Sequence, residues 1–183
     1  MRTEVALTRT AARDGTAVLS EAEFEVFYRR TARSLWAYLQ RMTGDAAAAD
    51  DLTQKAFLQL LRTPLDGTEE SRIRGLLYRT ATNQAIDHIR RVRRERQGWL
   101  GLRQTDRRTE SAELRHDMGR AFRRLTPRER SLLWLAHVEG FDHREIAAIA
   151  GVAPGSVRVL LFRARRKLGD TLRSLGLGPE VIS

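Results

Sequence analysis

The chain contains no cysteine, so it can form neither disulfides nor thiolate metal sites, which fits a reducing compartment. Lysine is almost as scarce: of 33 Lys and Arg residues, only Lys55 and Lys167 are lysine. No apolar run approaches the roughly 20 residues needed to span a bilayer. Met1 to Leu19 alternates charged and small residues where a signal peptide would need an apolar stretch. A cytoplasmic protein, not embedded in a membrane, is therefore expected. Chemistry-bearing clusters are missing too. His88, His116, His137 and His143 have no metal-ligand spacing with acidic residues, and no Gly-rich phosphate loop precedes a helix. Asp50 and Asp51 are adjacent, so on a helix they point about 100° apart and cannot act as an acid–base pair. The expectation is no catalytic residue, no metal, no cofactor and no small-molecule substrate: not an enzyme.

What the chain does have is positive charge. A formal net charge of +10 and a pI near 11.2 suit a polyanionic partner. Arginine makes bidentate contacts with phosphate and with guanine, so its dominance over lysine agrees with nucleic-acid work. A GC-rich genome produces the same bias, and composition alone does not decide the matter.

Helical periodicity without any strand pattern predicts an all-α chain of two small helical domains on a flexible joint. The expected division is an N-terminal extension over 1–19, a front domain over 20–94, a linker over 95–117, a rear domain over 118–175 and a tail over 176–183. Ser20 to Glu23 reads as a capping box, with Phe24, Phe27, Leu35, Leu39 and Met42 following at helical spacing up to Gly44. Asp45 can cap a second helix that turns Ala49, Leu52, Ala56, Phe57, Leu60 and Leu61 inward. A loop from Thr63 to Arg72 leads to a third helix, from about Ile73 through Ile89, with Leu76, Leu77, Ala81, Ala85 and Ile86 on its apolar side. It ends in Arg90-Arg91-Val92-Arg93-Arg94. The helix dipole favours one or two cations there, at about 0.3–1 kcal/mol each; four in five positions exceed that effect and suit a nucleic-acid backbone. Tyr78, one turn from Arg74 and beside Arg79, can stack an unpaired base or pack half-buried. Trp36 and Trp134 lie in apolar stretches and read as core.

The rear domain carries the most specific signal. Thr126-Pro127-Arg128-Glu129 supplies a cap, a proline at the first helical position and a capping-box glutamate. Asp142 and Glu145 repeat the device on a short helix, Gly151 supplies the positive φ of a sharp corner, and Pro154 opens the next helix. On that helix Val157, Leu161, Ala164 and Leu168 form one buried stripe, while Ser156, Arg158, Val159, Phe162, Arg163 and Arg166 lie mostly on the opposite side. This is the layout of a helix-turn-helix whose cationic helix enters the major groove.

Taken in order, Asp50-Asp51-Leu52-Thr53-Gln54-Lys55-Ala56-Phe57, then Arg74-Gly75-Leu76-Leu77-Tyr78-Arg79 with Asn83 and Asp87, then Leu125-Thr126-Pro127-Arg128-Glu129-Arg130 and the helix-turn-helix resemble the extracytoplasmic-function (ECF) group of bacterial RNA polymerase sigma factors. The resemblance runs from about Phe24 to Leu168. It implies a sigma region 2-like bundle and a sigma region 4-like helix-turn-helix, with core RNA polymerase (β′ clamp helices and β flap) and promoter DNA as partners and an anti-sigma factor as regulator. It implies polymerase docking through Asp50, Asp51, Leu52, Gln54 and Phe57. The −10 strand would lie along Arg72, Arg74, Tyr78, Arg79, Asn83, Asp87, Arg90 and Arg91. The −35 major groove would be read by Arg144, Ser156, Arg158, Val159, Phe162, Arg163 and Arg166. The sequence departs from the usual pattern at Lys55, where an acid is common, at Ala153, where a capping serine is usual, and at Val159-Leu160-Leu161, where a more polar triplet is usual. A conventional regulator that binds duplex DNA without polymerase is the competing reading; it leaves Tyr78 and the Arg90 to Arg94 cluster without a role.

Overall fold

The computed structural model describes residues 19–63, 69–98 and 113–177. Among these every regular element is helical: α1 (Glu21–Thr43), α2 (Ala46–Arg62), α3 (Glu70–Gly98), α4 (Glu113–Arg123), α5 (Pro127–His137), α6 (His143–Ala150), a 3₁₀ turn (Pro154–Ser156) and α7 (Val157–Ser174). The chain divides into two compact units, and the division falls between Ala85 and Ile86, inside α3.

Local chemistry sets the ends of the front helices. The Ser20 hydroxyl accepts from the Glu23 backbone N–H at 3.3 Å, while the Ser20 N–H donates to the Glu23 carboxylate at 2.8 Å. Gly44, at φ 75°, closes α1 in the left-handed region, and the Asp45 carboxylate takes up the Ala47 N–H at 2.9 Å to start α2. Phe27, Leu35, Leu39 and Met42 of α1 are buried with Ala49, Leu52, Ala56, Phe57 and Leu60 of α2 and with Ile73, Leu77, Ala81 and Ala85 of α3. Four of the inward expectations fail by degree: Leu61 is exposed, and Phe24, Leu76 and Ile86 are only half-buried.

The predicted linker is shorter at both ends than expected. Helix α3 continues through Arg90–Arg94 and Glu95 to Gly98, and α4 already begins at Glu113. Arg and Glu are strong helix formers, no proline intervenes, and Arg91 meets Glu95 one turn on at 3.8 Å, so nothing stops the helix at 94. The helix-terminal dipole therefore does not account for this arginine run. Residues 1–18, 64–68, 99–112 and 178–183, including Trp99 and half of the predicted loop from Thr63 to Arg72, lie outside the described residues.

In the rear unit, Ala121 and Leu125 meet Leu132, Leu133 and Leu135 of α5, Ile146 and Ile149 of α6, and Val157, Leu161 and Ala164 of α7 in a small core. Removing one such buried Leu costs about 2–5 kcal/mol. Among the described residues no single helix is long and apolar enough to cross a membrane.

Candidate nucleic-acid interface

The helix-turn-helix forms as its caps dictate. Asp142 Oδ1 accepts from the N–H groups of Arg144 (2.7 Å) and Glu145 (2.8 Å), and the Glu145 carboxylate accepts the Asp142 N–H at 2.8 Å. The Glu145 N–H is the largest influence on the Asp142 carboxyl and, with those of Arg144 and nearby cations, holds it below its ordinary value against partial desolvation. Gly151, at φ 62°, turns the chain. Ala153 offers no side-chain cap, and the chain enters α7 through the 3₁₀ turn that Pro154 opens rather than directly as an α-helix. Ser156 is exposed and its side chain makes no cap bond either.

Helix α7 then separates its faces. Val157, Leu161 and Ala164 are buried, and Leu168 is half-buried. Arg158, Val159, Phe162, Arg163 and Arg166 are all exposed, as is Arg144 on α6. Two other cations of α7 are directed elsewhere. Lys167 Nζ meets Glu129 at 2.8 Å, and Arg165 Nε donates to His137 Nε2 at 3.0 Å, so both tie α7 to α5. The Glu129 carboxylate also accepts the Thr126 N–H at 2.7 Å. Burial is the largest single influence on this carboxyl and pulls it up, but the hydrogen bonds from Lys167 and Thr126 together outweigh it and leave it below its ordinary value. Helical period alone gives no sign of this clamp. A partner 38 residues away leaves no local signal.

On α3, Arg72, Arg79, Asn83, Asp87, Arg90 and Arg91 are exposed and Arg74 is half-buried. Positions 72, 79 and 83 recur every four or seven residues and share one face of the helix, and positions 87, 90 and 94 recur every three or four and likewise share one. Asp87 meets Arg90 at 3.7 Å in an exposed pair. Tyr78 is a correction. It is fully buried, with its ring 5.4 Å from that of Tyr38, whose hydroxyl meets Thr82 Oγ1 at 2.7 Å. No face of Tyr78 is open to a base.

The docking set on α2 needs a similar correction. Asp50, Asp51 and Gln54 are exposed, but Leu52 and Phe57 are 4% and 3% exposed and belong to the core. Phe57 packs edge-on against Phe24, with centroids 6.0 Å apart, and lies 4.8 Å from Tyr28. It helps line a groove of about 620 Å³ between α1 and α2, whose rim includes Tyr28, Trp36, Leu58 and Leu61. Trp36 is half-buried rather than core, its indole N–H donating to Asp50 Oδ1 at 2.7 Å; Lys55 Nζ meets Asp51 at 2.7 Å. Trp134 is likewise half-buried, with its indole N–H on Glu139 at 2.9 Å. Tyr28 and Leu58 were missed from sequence. Their signal was two exposed-phase apolar residues beside an inward stripe.

Comparison with known proteins bears on both units. Residues 27–95 match the family model described as Sigma-70 region 2, and residues 115–168 match that described as Sigma-70, region 4. The ECF RNA polymerase sigma factor SigL of Mycobacterium tuberculosis is 30% identical over 170 residues, covering 89% of this chain and 96% of SigL. The chain belongs to the ECF RNA polymerase sigma factors. The sigma factor CarQ of Myxococcus xanthus is 30% identical over 171 residues, covering 90% of this chain and 95% of CarQ. Solved structures share the fold. The sigma factor RpoE of Bartonella quintana, in complex with the anti-sigma factor NepR, aligns with a TM-score of 0.60 at 20% identity, covering 82% of this chain and 96% of RpoE. CnrH, in complex with the cytosolic domain of CnrY, aligns at 0.61 and 20% identity, covering 85% of this chain and 90% of CnrH. As an ECF sigma factor the chain is a transcription initiation factor, and a conventional regulator that binds duplex DNA without polymerase no longer competes.

Proposed function

We propose that this ECF sigma factor docks on core RNA polymerase through α2, lays the displaced −10 strand along α3 and anchors the upstream −35 duplex with α7. The observation that carries the reading is the division of α7 into a buried apolar stripe and an exposed arginine face on a capped helix-turn-helix. Duplex anchoring needs cations that reach phosphates and base edges without disturbing the core, and Arg158, Arg163, Arg166 and Arg144 meet that requirement. Ser156 supplies a hydroxyl to the phosphate backbone.

Opening needs a surface that prefers unpaired bases. Asn83 can donate to and accept from a base edge, while Arg72, Arg74, Arg79, Arg90 and Arg91 neutralise phosphates and Asp87 orients Arg90. Tyr78 has no part in this surface. On α2, Asp50, Asp51 and Gln54 make the polar docking contacts. Leu52 and Phe57 act from beneath, holding the helix and the groove in shape. That groove, with Tyr28, Leu58 and Leu61 at its edge, also offers an anti-sigma factor an apolar seat that competes with polymerase. Each unit alone grips promoter DNA weakly, and joining them raises the effective concentration of the second grip. No chemical step is assigned to the chain, whose work takes place where polymerase and genome meet.

The test is reconstitution. The chain should co-elute with core polymerase and direct initiation at defined start sites from a genomic library. Failure to bind core, or initiation no more selective than core alone, overturns the proposal.

A further inference from the structure

The outer face of α7 is not uniformly polar. Val159 is 48% and Phe162 is 63% exposed, and Phe162 is the most open large apolar side chain among the described residues. A single exposed apolar residue is ordinary. Here two stand one helical turn apart, with Arg158, Arg163 and Arg166 around them, and none of these arginines is in an ion pair among the described residues. Resting on the reading of α7 as the duplex-anchoring helix, we propose that Val159 and Phe162 form an apolar strip that selects adjacent thymines by their 5-methyl groups.

Three physical points carry this. The arginines draw the helix face into the groove through phosphates, which places the apolar pair against base edges. In the major groove the thymine methyl is the distinct apolar feature, whereas adenine, guanine and cytosine present hydrogen-bonding groups. Neither Val159 nor Phe162 can donate or accept a hydrogen bond. Covering a purine N7 or an amino group would strip its water without replacement, so the pair selects against those edges as well as for methyls. The spacing also agrees. Residues three apart on a helix advance about 4.5 Å, close to the roughly 3.4 Å between successive bases on one strand.

The experiment uses the full chain assembled with core polymerase. Promoter duplexes, randomised only in the upstream element of a start site that this holoenzyme uses, are selected by retention. Adjacent thymines should be enriched. Replacing both with deoxyuridine removes only the methyls and should lower retention about fifteenfold, from roughly fourfold per buried methyl. The Val159→Ser holoenzyme should respond only about fourfold to the same replacement. Phe162→Ala should do likewise, and Phe162→Leu should restore most of the response. An equal deoxyuridine penalty in the unaltered and Val159→Ser/Phe162→Ala holoenzymes overturns the methyl assignment. A holoenzyme that retains all upstream sequences alike overturns the reading of α7 itself, which is a separate result.

Discussion

Helices α3 and α7 both present arginine on an outer face, yet they treat their aromatic residues in opposite ways. On α3, Tyr78 is buried against Tyr38 and the exposed stripe is polar, with Asn83 and Asp87 among the arginines. On α7, Phe162 faces outward between Arg158 and Arg163 while the inner stripe is aliphatic. The salt bridges differ as well. Arg90 and Arg91 pair with acids of their own helix, whereas Lys167 reaches across to α5 and, among the described residues, no acid pairs with the outer arginines. The two faces therefore differ in more than net charge. Under the proposed roles, the strand surface keeps hydrogen-bonding groups available, while the duplex surface adds apolar contact to base edges.

Substitutions that separate the two helices test this contrast. The largest effect should come from Tyr78→Ala, which removes a fully buried ring and should destabilise the front unit by about 3–5 kcal/mol. Phe162→Ala should change stability by under about 0.5 kcal/mol. Urea unfolding of the two variants checks this, and similar midpoints would erase the contrast. Next, Arg158→Ala should cost about 1–3 kcal/mol in upstream-element binding with little change in affinity for core polymerase. Competition for core and promoter retention, measured side by side, decide it; equal losses would show that α7 is misassigned.

A smaller effect is expected on α3. Asn83→Ala should slow promoter opening about fivefold, the weight of roughly one hydrogen bond, without destabilising the fold. Unchanged permanganate reactivity around the start site would remove Asn83 from the strand surface. The smallest effect concerns the α5–α7 clamp. The Glu129 carboxyl is lowered in the folded state from its ordinary 4.5, so its contribution is fully present above about pH 4.5 and is lost as pH falls through the lower folded value. For this half-buried pair, still partly open to solvent screening, the loss should be at most about 1 kcal/mol. Glu129→Gln should abolish that part of the acid dependence, read as the gap between the unfolding midpoints of variant and unaltered chain at pH 7 and pH 3.5.

Capping residues and turn glycines were readable directly. Ser20 with Glu23, Asp45, Thr126 with Glu129, Asp142 with Glu145, and the glycines at 44 and 151 act within a few residues of where they stand. The inner stripe of α7 was readable for the same reason, since 3.6-residue periodicity is local. Leu52 and Phe57 carried two readings, inward by helical period and docking by resemblance, and their burial agrees with the first. Tyr78, read as open to a base or half-buried, is fully covered. The end of α3 was misjudged because a cationic run can either finish a helix or continue one.

Composition and short-range chemistry thus specified an all-helical chain, the start of each capped helix and which side of α7 turns inward, because caps and helical periods involve neighbours in sequence. Which aromatics are covered, which form the α1–α2 groove, and that Lys167 serves Glu129 rather than a phosphate depended on packing between helices. Those contacts join residues tens of positions apart, and helical period alone does not say which neighbour a side chain meets.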